Sequence, residues 1–244
     1  MTRPPTPYLD LSPTSQKIRA IYVMNILTAI EERRSTRAYL DQPVPPEVIE
    51  RILAAARWAP SGVNTQPWRV AVVSGAAKQR LGERIIHALE AGQPPNPDYD
   101  YYPSEWLEPY KERRKACGIA LYQALGIGRD DAEKRKAAWY ANYRFFDAPV
   151  GLLVFMDRRM GQGAWLDMGM FIQNLLLAAR GFGLDTCPQA TLADFPQLVR
   201  QELGIEERWR LLCGVALGYG DPQAPVNRYR LPRAEVAEFS SWHL

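Results

Sequence analysis

Residues 167 to 180 read DMGMFIQNLLLAAR, and no other stretch limits the fold so tightly. The spacing predicts a helix, stopped by Gly181 and Gly183. Met168, Met170, Phe171, Ile172, Leu175, Leu176, Leu177, Ala178 and Ala179 fall on nearly every side of it. A helix that is apolar all round must be buried all round. In a chain of 244 residues, one way to bury it is to cover half of it with a second copy.

The rest of the chain supplies layers to pack on it. Ile26, Leu27 and Ile30 suggest the end of a helix near Glu32, and Pro45 and Pro46 open another that carries Val48, Ile49, Ile52, Leu53 and Ala56. Strands are expected at 69–74, 149–156 and 211–217, the last two as short apolar runs of fully buried strands. Further helices are expected at 76–90, 112–125, 130–142 and 195–203. Helices dominate, with three or four strands spread among them. That order predicts an α+β fold, a small mixed central sheet wrapped by helices. Residues 1–24 read as a Pro- and Ser-containing arm and 25–244 as the domain. Within it 92–109, rich in Pro, Tyr and Asp, is a candidate lid loop.

Composition excludes several classes. A net charge of +3 is too small to argue for nucleic acid, and no run of 18 apolar residues suggests a membrane span. The N-terminal stretch lacks the pattern of a signal peptide. Cys117, Cys187 and Cys213 are odd in number and far apart, which fits neither a disulfide framework nor a metal site and favours a reducing cytoplasm. His87 and His243 are the only histidines, too few for a histidine-built zinc site or a Ser-His-Asp triad. No GxGxxG or GxxxxGK[ST] turn is present.

Four segments carry candidate chemistry. Arg33, Arg34, Ser35 and Arg37 offer guanidinium forks and a hydroxyl, donors matched to phosphate oxygens. The loop 59–69, APSGVNTQPWR, fixes its path with Pro60, Gly62 and Pro67. It presents Ser61, Asn64 and Gln66, which donate and accept. In NRYRLPR, Arg228 and Arg230 point the same way if that segment is extended. Pro188, Gln189, Ala190 and Thr191 follow the apolar helix and offer backbone N–H groups. Each segment alone also reads as ordinary surface. Cys187 reads as a small buried hydrophobe rather than a nucleophile. Tyr99, Tyr101, Tyr102 and Trp106 suit stacking on an aromatic substrate, or packing against the helices.

Taken together, AIEERRSTRAY, APSGVNTQPWR, DAPVGLLVFMD, the apolar helix and GYGDPQAPVNRYRLPR resemble the nitroreductase family over about residues 25 to 233. The resemblance implies an intertwined homodimer with FMN at two interface sites. NADH or NADPH would serve as reductant, and small aromatic acceptors such as nitroaromatics or quinones would be reduced. It implies a ping-pong mechanism through flavin N5, with no catalytic side chain and no metal. It places Arg33 and Ser35 on the FMN phosphate with Arg34 along the same edge, Arg37 toward the ribityl and pyrimidine end, and Arg228 and Arg230 closing from the C-terminal side. Pro60, Ser61, Asn64 and Gln66 would arrive from the other subunit, and Pro188 to Thr191 would line the ring with backbone groups. The same resemblance leaves open a reductive dehalogenase, an ene-reductase, a flavin-cleaving enzyme or a non-catalytic flavin-binding protein.

Overall fold

The computed structural model describes residues 24–244. All but the last residue of the expected N-terminal arm therefore lies outside the described residues. In chain order the elements are α1 (Ile26–Glu32), α2 (Pro46–Ala56), β1 (Trp68–Ser74), α3 (Gly75–Glu90), α4 (Tyr110–Ala124) and α5 (Ala132–Tyr140). They continue with β2 (Val150–Asp157), α6 (Gly163–Gly181), β3 (Asp185–Gln189), α7 (Pro196–Leu203), β4 (Trp209–Gly218) and α8 (Val236–Phe239).

The four strands form one sheet in the order β1-β2-β4-β3, and every neighbouring pair runs antiparallel. The sheet is thus antiparallel and not mixed as expected; among the described residues parallel pairing enters only as the isolated bridge between Ser35 and Thr186. The apolar runs of β2 and β4 put them at the centre, because both of their faces are covered. On β2, Leu152, Val154 and Met156 join the core built with α2 and α6, while Leu153 and Phe155 face the core built with α3 and α7. β3 has five residues, DTCPQ, and is an edge strand; Pro188 is tolerated there because no further strand needs its N–H.

Gly151 lies under Phe145, where a Cβ would stand 2.6 Å from the ring. The turn that brings Phe145 there has three successive residues with positive φ, Phe145, Phe146 and Asp147. L side chains avoid that conformation, so packing must hold it. The expected helix 130–142 accordingly ends at Tyr140.

Within one copy α6 is not buried all round. Met168, Phe171, Leu175, Leu176 and Ala179 are buried, yet Leu166 is 74% exposed and Met170 is 39% exposed. Ile26, Leu27 and Ile30 of the neighbouring α1 are exposed as well. Among the described residues no helix is long and apolar enough to cross a membrane.

Candidate functional site

The loop after α1 is fixed from three directions. Thr36 N–H donates to the Thr186 carbonyl at 3.0 Å, which ties the loop to β3. Arg37 N–H donates to Asn227 Oδ1 at 2.9 Å, and Asn227 Nδ2 donates to the carbonyls of Ala38 and Asp221 at 2.8 Å each. Asn227 is buried and so joins the loop to the C-terminal segment. Arg230 donates to the carbonyls of Glu31 at 2.6 Å and Glu32 at 2.8 Å, supplying partners that the end of α1 would otherwise lack.

These ties shape a cavity of about 640 Å³. Arg33, Arg34, Ser35, Arg37 and Arg230 line it together; Glu31, Tyr229, Arg233, Cys117 and Gln173 line it too. Among the described residues none of the five guanidinium groups makes an ion pair. Burial, then the charge of Arg233, holds the Arg33 guanidinium below the usual arginine value, and Arg230 adds to it. Five guanidinium groups are therefore gathered without an ion-pair partner, although Glu31 also lines the cavity. An anion is the chemistry that would offset them.

Arg228 does not join them. It follows a 3-10 turn at Pro225–Asn227 with φ −98° and ψ −25°, so the segment is not extended and the expected alternation fails. Its guanidinium donates to the Pro222 carbonyl at 3.1 Å and to Gln223 Oε1 at 2.6 Å. Tyr229 turns inward instead and takes a bond from Arg37 Nη1 at 3.3 Å.

Arg37 also lines a second cavity, of about 350 Å³, with Phe146, Pro188, Gln189, Ala190 and Thr191. The arginine loop and the end of β3 thus meet. Pro188, Gln189 and Ala190 line a third cavity as well, of about 580 Å³, walled by Tyr99, Tyr101, Trp165, Met168, Ile172 and Leu212. Burial pushes the Cys187 thiol up, against the pull of Arg37, which suits a buried hydrophobe.

The aromatic segment divides in two. The Asp98 side chain is only 7% exposed and accepts from Arg200 at 2.6 Å, Arg158 at 2.5 Å and Leu211 N–H at 3.2 Å. Next to it, Tyr99 donates to the Leu212 carbonyl at 2.5 Å and meets Trp165 edge-on at 4.7 Å. Tyr99 is thereby a fixed wall. Tyr101 and Tyr102 are exposed, and Trp106 packs against Tyr102 at 5.6 Å without lining these cavities.

The remaining loop stands apart. Gly62 N–H donates to both carboxylate oxygens of Asp167 on α6, at 3.3 and 3.2 Å, and Trp68 stacks on Phe171 with centroids 4.9 Å apart. Pro60, Asn64 and Gln66 are exposed, Ser61 is half-buried, and none lines the three cavities. Gln66 N–H donates to Ser61 Oγ at 3.0 Å, and Val63, Asn64 and Gln66 all have positive φ. Among the described residues no group of three or more His, Cys, Asp or Glu is placed to hold a metal ion.

A model described as the nitroreductase family matches residues 30–219. The nitrobenzene nitroreductase of Ectopseudomonas oleovorans is 39% identical over 216 residues, 87% of this chain and 94% of the relative. The nitroreductase NfnB of Mycolicibacterium smegmatis is 37% identical over 237 residues, 97% and 96% of the two chains. Among solved structures, the FMN and NADPH-dependent nitroreductase NfnB of Sphigopyxis sp. strain HMH superposes with a TM-score of 0.87 at 40% identity. That match covers 90% of this chain and 99% of the other.

Proposed function

The chain belongs to the nitroreductase family, and from that premise we propose that it is an FMN-dependent oxidoreductase that uses NAD(P)H to reduce nitroaromatic compounds. The observation that carries this is the cavity where Arg33, Arg230 and Arg233 crowd together without an ion pair, against the single acidic lining residue Glu31. A phosphate monoester fits it: it brings nearly two negative charges, and each charge-assisted hydrogen bond contributes about 1.5–3 kcal/mol.

Arg33, Ser35, Arg230 and Arg233 would hold the phosphate, with Arg34 along the same edge. Arg37, shared by two cavities, would set positive charge beside the pyrimidine edge of the ring. Pro188 to Thr191 would line the ring itself. When bound, FMN supplies the two-electron redox chemistry. Tyr99 and Trp165 wall an apolar space that suits a flat aromatic acceptor, and 101–109 would serve as the mobile part of a lid.

Pro60, Ser61, Asn64 and Gln66 would reach the cofactor from a second copy. Exposed Ile26, Leu27 and Ile30 on α1 and Leu166 and Met170 on α6 support a homodimer, because contact between copies would bury them. One pocket would serve reductant and acceptor in turn, a ping-pong scheme that extends to quinones. NADPH is favoured over NADH by the NADPH-dependent relative. The three free cysteines fit a reducing cytoplasm.

The test is anaerobic. NADPH should bleach the flavin band of the purified protein, and 4-nitrobenzoate or nitrobenzene should restore it. A flavin that NADPH leaves oxidised, or one consumed to a new product, would overturn the proposal.

A further inference from the structure

Between α3 and α4 the chain runs through residues 91–109 with no helix or strand to stiffen it. It is nevertheless held at one place. Asn96 N–H donates to the Asp194 carbonyl at 2.8 Å. Asp98 Oδ2 accepts from Arg200 Nη1 at 2.6 Å and from Leu211 N–H at 3.2 Å, and Oδ1 accepts from Arg158 Nη2 at 2.5 Å. Tyr99 Oη donates to the Leu212 carbonyl at 2.5 Å. Two successive residues of the segment thus grip two successive residues of β4. Beyond them the hold ends: Tyr101 and Tyr102 are each 60% exposed.

The carboxylate of Asp98 gathers several elements to one point. Arg200 comes from α7 and also donates to the Trp209 carbonyl at 3.2 Å, where β4 begins. Arg158 comes from the turn after β2 and also donates to the Glu207 carbonyl at 2.7 Å. The Asp98 and Arg200 side chains are both almost wholly buried. A buried ion pair contributes little net stability, because desolvation offsets most of the attraction, yet its geometry is demanding. Such a group suits the fixing of a position. The residue next to it is Tyr99, whose ring meets Trp165 edge-on, and those two rings wall the cavity of about 580 Å³.

We propose that Asp98 is a positioning residue that sets the width of the acceptor cavity through Tyr99, and with it the size of the aromatic ring system the protein reduces. The proposal rests on the reading of that cavity as the acceptor site. Asp98 lines no part of the cavity and would touch no substrate. It holds the backbone at 98–99, so the wall stays in place while 101–109 move. Without that hold, Tyr99 would keep its bond to Leu212 and its edge contact with Trp165, and the wall would yield to a wider ring.

The test compares nitrobenzene with 1-nitronaphthalene as acceptors, using the FMN-loaded protein and NADPH. D98N keeps the side-chain size and removes the charge. It should raise the ratio of kcat/KM for 1-nitronaphthalene to that for nitrobenzene about tenfold, the scale on which the fit of a pocket discriminates. Y99A should raise the ratio as well. D98N added to Y99A should raise it less than about twofold further, because changes that act through one group do not add. An equal loss of turnover with both acceptors, the ratio unmoved, is what a purely structural Asp98 would give and overturns the proposal. So does a D98N effect that is undiminished in Y99A. If D98N does not fold, R158Q removes one partner of Asp98 at a more exposed position and should raise the ratio at least about twofold, a weaker form of the same effect; the parent ratio in R158Q overturns the proposal. A parent protein that reduces neither acceptor overturns instead the assignment of function beneath it.

Discussion

The loops at 33–37 and 61–66 both carry polar side chains, charged in the first and neutral in the second, and they have opposite fates. The first is tied to β3, to Asn227 and to the C-terminal segment, and its side chains line a cavity within one copy. The second is anchored at its base to Asp167 and Phe171, but its tip faces outward; Val63 is 98% exposed with φ 45°. A β-branched residue held in that conformation at the surface is strained. On the proposed function, the difference would mean that one copy finishes the phosphate end of the site and only prepares the other end.

The largest effect should come from the finished side. R33A should weaken FMN binding about tenfold to a hundredfold, the equivalent of one charge-assisted hydrogen bond, as measured by fluorescence titration. An unchanged dissociation constant would remove Arg33 from the site. On the prepared side, D167A leaves Gly62 N–H without its acceptor and should cost about 1–3 kcal/mol in urea unfolding. D167N, which keeps an acceptor, should lose less; equal losses would mean that the anchor at the loop base does not matter. V63G should relieve strain at the tip and change stability by about 1 kcal/mol or less, because glycine's greater freedom when unfolded offsets part of the gain. A large loss would show that the Val63 side chain has a partner. R228A should have the smallest effect, less than about twofold on FMN affinity, since its guanidinium is engaged with Pro222 and Gln223. A tenfold loss would restore it to the phosphate end.

The two loops were unequally legible. The arginine loop could be read because the side chains themselves carry the chemistry and lie close together in sequence. For the loop at 61–66 the residue types were visible, but where they act depends on a surface that one chain does not fix. The alternation of Arg228 and Arg230 depended on an extended segment, and Pro225 to Asn227 make a 3-10 turn instead, which hands the inward place to Tyr229. Arg233 lay within the same motif and could have been found by extending that reading. Gln173, Cys117 and Asn142 carry no local signal and reach the cavities through packing of the elements around them; Asp98 lines no cavity and acts beside Tyr99 through an ion pair with Arg200. The apolar pattern revealed the sheet centre but not β3, whose five residues are mostly polar and include a proline.

Co-expression of two defective chains tests the comparison most directly. One chain carries R33A, the other S61A with N64A, and mixed dimers are isolated by separate tags. If each site takes its phosphate end from one copy and its loop from the other, one site of the mixed dimer is intact and binds FMN as tightly as the parent. Recovery of that tight-binding population is the expected result. Mixed dimers that bind no better than the two defective parents would mean that each site is built within a single copy, and would contradict the account.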